Sequence, residues 1–405
     1  MKILHVITRL IQGGAQQNTV LSCRAQVNAG HHVTLAFGPI HGPEGSLLDE
    51  AKQSGAEIVV LPDMVREVSP RKDVRCYHAL RKLIRSLNPD IVHTHSSKAG
   101  ILGRFAAHAE RQRASKQDAE FNGAIVHTVH GLPFHDQQSH FVHGLYVFLE
   151  RLAARRCDQL IAITPAMVEE FAKKKIAPPG KFSIIPSGVD LSRFRADTAS
   201  REKMRAESRQ LMGIPKEAVV VANLARLDPL KGHDDLLEIY PLLAAEFGQQ
   251  TRFLFIGDGF YRKKLEVKIA SLGLQDRVII TGYIPHKQVM PTLLAADVKV
   301  LPSYQEGQSR TLVEALLCKI PIVAYEVGGI PSVCIENVTG RLVKKADKVA
   351  LAHAIIHTLK QPEASLRLAA EGRDFVAKQY SSQAMTSALE HLYQSIYNRP
   401  NYAML

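Results

Sequence analysis

The sequence predicts an α/β protein of two domains, each an open parallel sheet with helices between its strands. Three observations predict it. Strand-like and helix-like segments alternate along the chain. Several strands run directly into a glycine-containing turn that opens a helix. A polar stretch rich in Arg, Ser and Asp, about 190–213, interrupts the alternation near the middle and is read as the interdomain connection. Strand candidates before it are 2–8, 32–37, 57–62, 91–95, 124–130, 159–164 and 182–186. After it they are 218–226, 252–257, 277–282, 298–302 and 321–325. The last segment, 376–398, reads as helix. No internal repeat and no low-complexity tract interrupts the pattern.

Composition agrees. A chain of 405 residues, 46% hydrophobic and 22% charged, is ordinary for a globular protein with ample core. No apolar run approaches the ~18 residues of a membrane span. The first residues, Met1 to Ile7, enter a strand directly and lack a signal-peptide pattern. Cys23, Cys76, Cys157, Cys318 and Cys334 are scattered, odd in number and without C-x-x-C, which predicts reduced thiols in the cytoplasm. The sequon Asn337-Val338-Thr339 is then a chance match.

Residues 306–314 carry the most chemistry. They read E-G-Q-S-R-T-L-V-E, after the strand-like run 298–303 and before a helix with Leu312, Val313, Leu316 and Leu317 on its apolar side. Glu306 falls in the loop and Glu314 in the first turns of the helix. Amides around Ser309 to Leu312 then point out of a helix N-terminus, which favours an anion. A phosphate there, with a carboxylate on either side to accept hydroxyl hydrogen bonds, suits a sugar nucleotide. The competing reading is a surface helix start whose acidic residues complement the dipole. A second junction, A-R-L-D-P-L-K-G-H at 225–233, puts Arg226 and Lys231 around a short loop before a helix. A bidentate fork and a point charge together suit a diphosphate. A third, Ile256-Gly257-Asp258-Gly259, is weaker, because strand-to-helix turns use glycine anyway.

With these motifs, the chain resembles retaining glycosyltransferase family 4, in the glycogen synthase and mannosyltransferase-like group. Its members have the GT-B architecture, two facing Rossmann-like domains with parallel sheets and an interdomain cleft. The resemblance covers nearly the whole chain. It rests on Gly13-Gly14-Ala15-Gln16, H-T-H-S-S-K-A-G at 93–100, H-T-V-H-G at 127–131, S-G-V-D at 187–190, R-x4-K at 226–231 and E-x7-E at 306–314, in that order. It implies an acceptor-side domain at 1–195, a nucleotide-sugar domain at 196–375, and a final helix, 376–405, that crosses back to the first domain.

The resemblance also implies roles. Arg226 and Lys231 neutralise the donor diphosphate as it leaves. Glu314 holds the ribose hydroxyls and Glu306 the sugar hydroxyls. The stretch Gly307, Ser309, Arg310, Thr311 and Leu312 lines sugar and phosphate. Ile284, in T-G-Y-I-P, meets the nucleobase, and Gly257 belongs to the same donor side. Gly14 lets bare backbone approach the diphosphate. His130 faces the transferred sugar; the competing reading is a structural hydrogen-bonder at a strand end. His95, Ser96 and Lys98 contact acceptor or phosphate. Retention follows without an enzyme nucleophile, because the leaving phosphate oxygen takes the acceptor proton. Domain closure would exclude water. Four positions depart from the common pattern: Gln16, Ser187, Arg310 and Ser332.

No cofactor beyond the nucleotide-sugar donor is expected. The cations do a metal's work, and no Asp-x-Asp pair is present. His93 and His95 share a strand face, but no third metal ligand is evident in sequence. Of the net charge of +12, residues 1–195 hold 25 basic against 17 acidic side chains. The excess concentrates at 71–85, where Val74, Tyr77, Leu80 and Ile84 form an apolar helical stripe flanked by Arg71, Lys72, Arg75, Arg81, Lys82 and Arg85. This is either a core helix with a solvated basic face or a contact to anionic lipid headgroups. Nucleic acid is not expected, since no binding motif is present and aromatics are only 6%.

The expected function is transfer from a nucleotide-sugar, UDP-linked on family frequency, to a glycan or polyprenyl-diphosphate-linked saccharide in cell-envelope or exopolysaccharide synthesis. The expected place is the cytoplasm, including the inner face of the cytoplasmic membrane. An epimerase or phosphorylase on the same fold, and a non-catalytic nucleotide-binding membrane-docked subunit, are the alternatives. Glycosidase chemistry by the two glutamates is disfavoured, because both fit donor binding. A dehydrogenase is excluded by the lack of G-x-G-x-x-G spacing.

Overall fold

The computed structural model describes residues 1–40, 45–117, 121, 123–134 and 138–398. Its chain forms two units, Met1–Gly188 together with the segment from Ser382, and Val189–Ser381. The end of the expected final segment, 399–405, lies outside the described residues.

Unit 1 contains β1 (Lys2–Arg9), α1 (Gly14–Asn28), β2 (His32–Gly38), α2 (Leu48–Lys52), β3 (Glu57–Val60), α3 (Pro70–Leu87) and β4 (Ile91–His95). It continues with α4 (Ser97–Lys116), β5 (Ala124–Val129), α5 (His140–Ala154), β6 (Gln159–Ala162), α6 (Pro165–Lys173) and β7 (Phe182–Ile184). Every strand pairing is parallel, in the order β3-β2-β1-β4-β5-β6-β7. Unit 2 contains α7 (Thr198–Leu211), β8 (Val219–Leu224), α8 (His233–Phe247), β9 (Thr251–Ile256), α9 (Arg262–Ser271), β10 (Val278–Ile280) and α10 (His286–Leu294). It continues with β11 (Val298–Leu301), α11 (Arg310–Leu317), β12 (Ile322–Tyr325), β13 (Arg341–Val343), α12 (Lys348–Lys360) and α13 (Pro362–Gln379). Its sheet is also parallel, in the order β10-β9-β8-β11-β12-β13. The last helix, α14 (Ser382–Tyr397), belongs to unit 1 and buries Met385, Leu389, Leu392, Tyr393 and Ile396 against Ile3, Ile91, Val126 and Ile161.

The two sheets place the sites. In each, the strand order reverses once, at β1/β4 in unit 1 and at β8/β11 in unit 2. Helices leave in opposite directions there, so a crevice opens beyond the carboxyl ends of those strands.

Three expectations change. The polar stretch 190–213 is mostly α7, an integral helix of unit 2. Asp197 caps it by accepting from Ser200 N at 2.7 Å, while Arg205 and Arg209 reach Asp297 and nearby carbonyls. The segment 376–398 is not one helix. It breaks at Tyr380, whose carbonyl accepts from Val189 N at 2.8 Å and whose hydroxyl donates to the Ser332 carbonyl. The basic helix α3 buries Cys76, Leu80 and Ile84, while Val74 is 57% exposed. At about 100° per residue, Val74 lies a quarter-turn or more from the line through Leu80 and Ile84. Strand β13 was also unforeseen; three residues are too short to show a period.

Candidate active site

In unit 2, both chemical motifs arrive at the β8/β11 switch point. Beyond β8, Asp228 caps the turn Pro229–Lys231 by accepting from Leu230 N, and it also accepts from Arg226 Nη2, both at 3.0 Å. Arg226 is otherwise largely in solvent. Beyond β11, the loop carries Glu306 and α11 carries Glu314. Lys231 Nζ donates to Glu306 Oε1 at 2.5 Å, and Ser303 Oγ donates to the same oxygen at 3.0 Å. The pair therefore ties the β8 loop to the β11 loop across the crevice.

Two glycines make this possible. Gly232 has φ +67°, and a Cβ there would lie 2.0 Å from the Pro302 carbonyl oxygen. Gly328 has φ +50°, and a Cβ there would lie 2.1 Å from the Glu306 carbonyl oxygen. Gly329 N donates to that same oxygen at 3.3 Å. Gly328-Gly329 thus clamps Glu306 from behind. In sequence only the nearby Ser332 stood out; the signal available was a glycine pair just beyond a buried strand.

Beneath the pair lies Lys299 of β11, fully buried. Its Nζ donates to Asn223 Oδ1 and the Val300 carbonyl, both at 2.8 Å. Burial pushes the ammonium well below the usual lysine range, while Glu306 and Glu314 oppose that fall. Lys299 escaped sequence reading because V-K-V-L looks like a strand with one solvent-facing position.

Glu314 is nearly buried, and burial raises its carboxyl above the usual range against the pull of Arg310, Arg193 and Lys299. Ser309 caps α11 by accepting from Leu312 N at 3.3 Å, so Gly307, Ser309, Arg310, Thr311 and Leu312 run continuously from loop into first turn. Burial lowers the Arg310 guanidinium, with Glu314 opposing. On the other flank, Gly257 ends β9 and donates to Thr281 Oγ1 at 3.3 Å, and Ile284 follows β10, half-buried. The donor-side residues predicted in unit 2 therefore bracket one switch point from both directions, while Gly14 lies in unit 1. A larger depression of unit 2, about 820 Å³, lies at the opposite, amino ends of the strands. Arg205 and Arg209 in its wall are spent on Asp297 and backbone carbonyls.

In unit 1, Gly14 heads α1, exposed, after the extended Gly13. Ser96 joins β4 to α4 with φ +61°. Its Oγ meets Thr8 Oγ1 at 2.7 Å, and Thr8 Oγ1 accepts from Ala99 N at 3.2 Å. Helix α4 is thus capped from a neighbouring strand, 91 residues away in sequence. Lys98 pairs with Asp73 at 2.5 Å and donates to the Glu67 carbonyl, so its charge is spent towards α3.

The histidines form a network. His5 Nε2 meets Gln26 Oε1 at 2.7 Å, His5 Nδ1 meets His95 Nε2 at 2.9 Å, and His95 Nδ1 meets His130 Nε2 at 3.0 Å. An amide oxygen only accepts, so His5 carries its proton on Nε2 and accepts on Nδ1. His95 then donates from Nε2 and accepts on Nδ1, and His130 donates from Nε2. With the Gln26 amide oxygen on His5 Nε2, the neutral chain runs from half-buried His130 to buried Gln26. His93 bonds Thr128 Oγ1 at 2.7 Å and the Tyr393 hydroxyl of α14 at 2.5 Å. Burial lowers the His93, His95 and His127 imidazoles well below the usual range; repulsion from neighbouring histidines, and for His127 first from Arg104, adds to it. His5 supplies the third nitrogen ligand that the His93/His95 pair lacked in sequence, all three within 4.8 Å. Both ring nitrogens of each, however, already have a protein hydrogen-bond partner. His130 also lines a depression of about 270 Å³ with Ser96, His127, Gly131 and Leu132.

Two doubly wound parallel sheets, one with cations and carboxylates gathered at its switch point, define a glycosyltransferase of the GT-B class. Residues 204–375 match the model for glycosyl transferases group 1, and residues 12–193 match that for glycosyltransferase family 4. The chain is similar to the UDP-Gal:alpha-D-GlcNAc-diphosphoundecaprenol alpha-1,3-galactosyltransferase of Escherichia coli, 28% identical over 88% of this chain and 87% of that one. It is 30% identical to the 2-deoxystreptamine glucosyltransferase of Streptomyces kanamyceticus over 62% of this chain and 64% of that one. Among solved structures, Anabaena Alr3699/HepE in complex with UDP-glucose superposes with a TM-score of 0.80 at 20% identity, covering 98% of this chain and 100% of that one. The chain belongs to the retaining glycosyltransferases of family 4.

Proposed function

We propose that the protein moves a hexose from a UDP-sugar to a polyprenyl-diphosphate-linked saccharide in cell-envelope or exopolysaccharide synthesis. The observation that carries this is the meeting of Arg226, Lys231, Glu306 and Glu314 around one switch point of unit 2. The wording of the Escherichia coli relative's name, a UDP-sugar donor and a diphosphoundecaprenol acceptor, supports the substrate classes. The HepE complex with UDP-glucose supports the base.

Arg226 and Lys231 hold the diphosphate and stabilise the charge that grows on it as the sugar leaves. Glu314 accepts from the ribose hydroxyls and Glu306 from the sugar. The loop 307–312 lines sugar and phosphate, and Ile284 and Gly257 flank the base. His130 faces the transferred sugar, with Gly14 near the diphosphate and His95 and Ser96 on the acceptor side. The acceptor hydroxyl attacks the face the nucleotide leaves, and the departing phosphate oxygen takes its proton. No metal or other cofactor is required. Residues 1–195 serve the acceptor, 196–375 the donor, and 376–405 returns to the first domain. The site of action is the cytoplasmic face of the membrane. Among the described residues, no helix is long and apolar enough to cross it.

Melting wild type and Glu314→Ala with UDP, GDP, ADP and their sugars, with and without magnesium, tests the reading. A ligand at ~100 times its dissociation constant stabilises by ~2.7 kcal/mol. Metal-independent stabilisation by uridine nucleotides alone, lost in the variant, and label transfer to a lipid-linked saccharide are expected. Conversion of the donor without acceptor would point to an epimerase, and phosphate-dependent release to a phosphorylase. No nucleotide response would leave a docking subunit.

A further inference from the structure

Helix α5 is apolar on the wrong side for a core helix. Phe141, Leu145 and Phe148 are 79%, 45% and 53% exposed, and their spacing puts them on one face. Val142 widens the patch. The opposite face is fixed to the unit. Arg104 Nη2 of α4 lies 2.8 Å from Glu150 Oε2, both side chains buried, and Ala153 and Ala154 are buried beside them. The aromatic face therefore cannot roll inward without breaking a buried ion pair, a costly loss.

The carboxyl end of the same helix is ringed by cations. Arg151 Nε and Nη2 donate to the carbonyls of Lys175 and Lys174, which holds the end of α6 against α5. Arg151, Arg155, Lys175 and Lys181 line a surface depression of about 380 Å³ with Pro178 and Pro179. Lys173 and Lys174 adjoin it. The acidic residues of α6 here are Glu169 and Glu170, and Glu170 pairs with Lys173 at 3.6 Å. Six cations thus face two carboxylates. By contrast, three of the six cations on the basic helix α3 are paired within the unit, Arg75 on Asp63 and Arg81 and Arg85 on Glu110, and α3 carries no exposed aromatic face.

We infer that α5 docks unit 1 onto an anionic lipid bilayer, its Phe141–Leu145–Phe148 face entering the headgroup–acyl boundary and the Arg151–Lys175 cluster binding lipid phosphates. An exposed aromatic face beside a cationic rim is the chemistry of an interfacial helix. The rim's charge favours phosphate headgroups, and a purely apolar protein partner would leave the rim's excess of four positive charges, six cations less two carboxylates, without counter-charge. This deepens the lipid-linked acceptor reading and rests on it for its purpose, since docking brings unit 1 to the surface that holds such an acceptor. It also moves the membrane contact from α3 to α5.

The test is flotation of the full chain with phosphatidylglycerol–phosphatidylethanolamine vesicles, without donor. Wild type should co-float, bind at least tenfold less to pure phosphatidylcholine, and release in high salt. The doubles Phe141→Ser/Phe148→Ser and Arg155→Glu/Lys175→Glu should each lose at least tenfold in binding at unchanged melting temperature. Arg71→Glu/Lys82→Glu on α3 should bind as wild type. Equal binding by the α5 variants, loss only in the α3 variant, or no vesicle binding by wild type would overturn the inference. So would a wild-type dimer that the phenylalanine double makes monomeric, because a second copy would then own the face. Transfer to a short water-soluble acceptor separates the two readings. It should be equal in wild type and α5 variants; vesicle binding without any transfer would sink the function and leave the docking.

Discussion

Lys231 and Glu306 neutralise one another across the unit 2 switch point, Nζ lying 2.5 Å from Oε1. Each is also the residue proposed to hold part of the donor. A diphosphate competes for the ammonium and a sugar hydroxyl for the carboxylate, so the unliganded pair keeps both side chains pointing into the crevice. Removing the cation should therefore cost more than affinity. Lys231→Ala is expected to lower kcat about 10²–10³-fold at saturating donor, the scale of losing one preorganised group at developing charge. Initial rates over a donor series check it. A rise in KM alone would show that Lys231 contributes only uniform binding.

Gly328 supports the same pair from behind. Alanine there meets the Glu306 carbonyl oxygen at 2.1 Å and also sits at φ +50°. The backbone conformation alone costs about 1–3 kcal/mol, and the clash must move the loop that carries Glu306. Gly328→Ala should lower the melting temperature and abolish stabilisation by UDP. Gly180→Ala is the control, since a Cβ there meets nothing within 4 Å. Equal UDP responses in both variants would mean the glycine does not set the site.

Glu314 carries a stability cost that its proposed role explains. Burial raises its carboxyl, so the folded chain holds that proton more tightly than the unfolded chain. The stability it contributes is fully present below the unfolded carboxylate value, about 4.3, and is lost as pH rises through the higher folded value. Glu314→Gln should thus melt higher than wild type at neutral pH without ligand, the difference closing as pH falls towards 4. The same variant should bind UDP more weakly. Melting curves over that range, with and without UDP, measure both.

How much was legible follows from the range of each signal. Strands β1 to β12 were visible because runs such as Val219–Leu224 declare themselves locally. So were Arg226, Lys231, Glu306 and Glu314, which sit at strand-to-helix junctions that a local pattern marks. The Thr8 cap on α4, the Gly328 clamp and the His5–His95 bond join residues far apart in sequence, and no local pattern encodes such meetings. Val74 was misplaced, and Lys299 passed over, for a different reason. Polarity suggested one position and apolarity the other, but helix phase and strand burial on both faces decided.

The His5–His95–His130 chain makes the last prediction. Burial lowers His5 from 6.5 to about 4, with the Gln26 hydrogen bond opposing. The unfolded chain therefore binds the proton first. The stability this gives is present above pH 6.5 and is lost as pH falls to about 4, a change of about 3 kcal/mol from His5 alone. His5→Gln should flatten the melting-temperature profile between pH 7 and 4. The direction of the chain is a separate matter, and Gln26 sets it. With its oxygen on His5 Nε2, neutral His130 must hold its proton on Nε2, so the tautomer facing the proposed sugar site is chosen from the far end of the network. Gln26→Leu removes the acceptor while leaving His130 in place. It should mix the His130 tautomers, as read by ¹⁵N NMR of labelled histidine, and lower kcat about tenfold with the donor KM unchanged. A variant that melts lower but keeps a single tautomer and full kcat would make Gln26 a packing residue. A wild-type spectrum with the His130 proton on Nδ1 would reverse the relay outright.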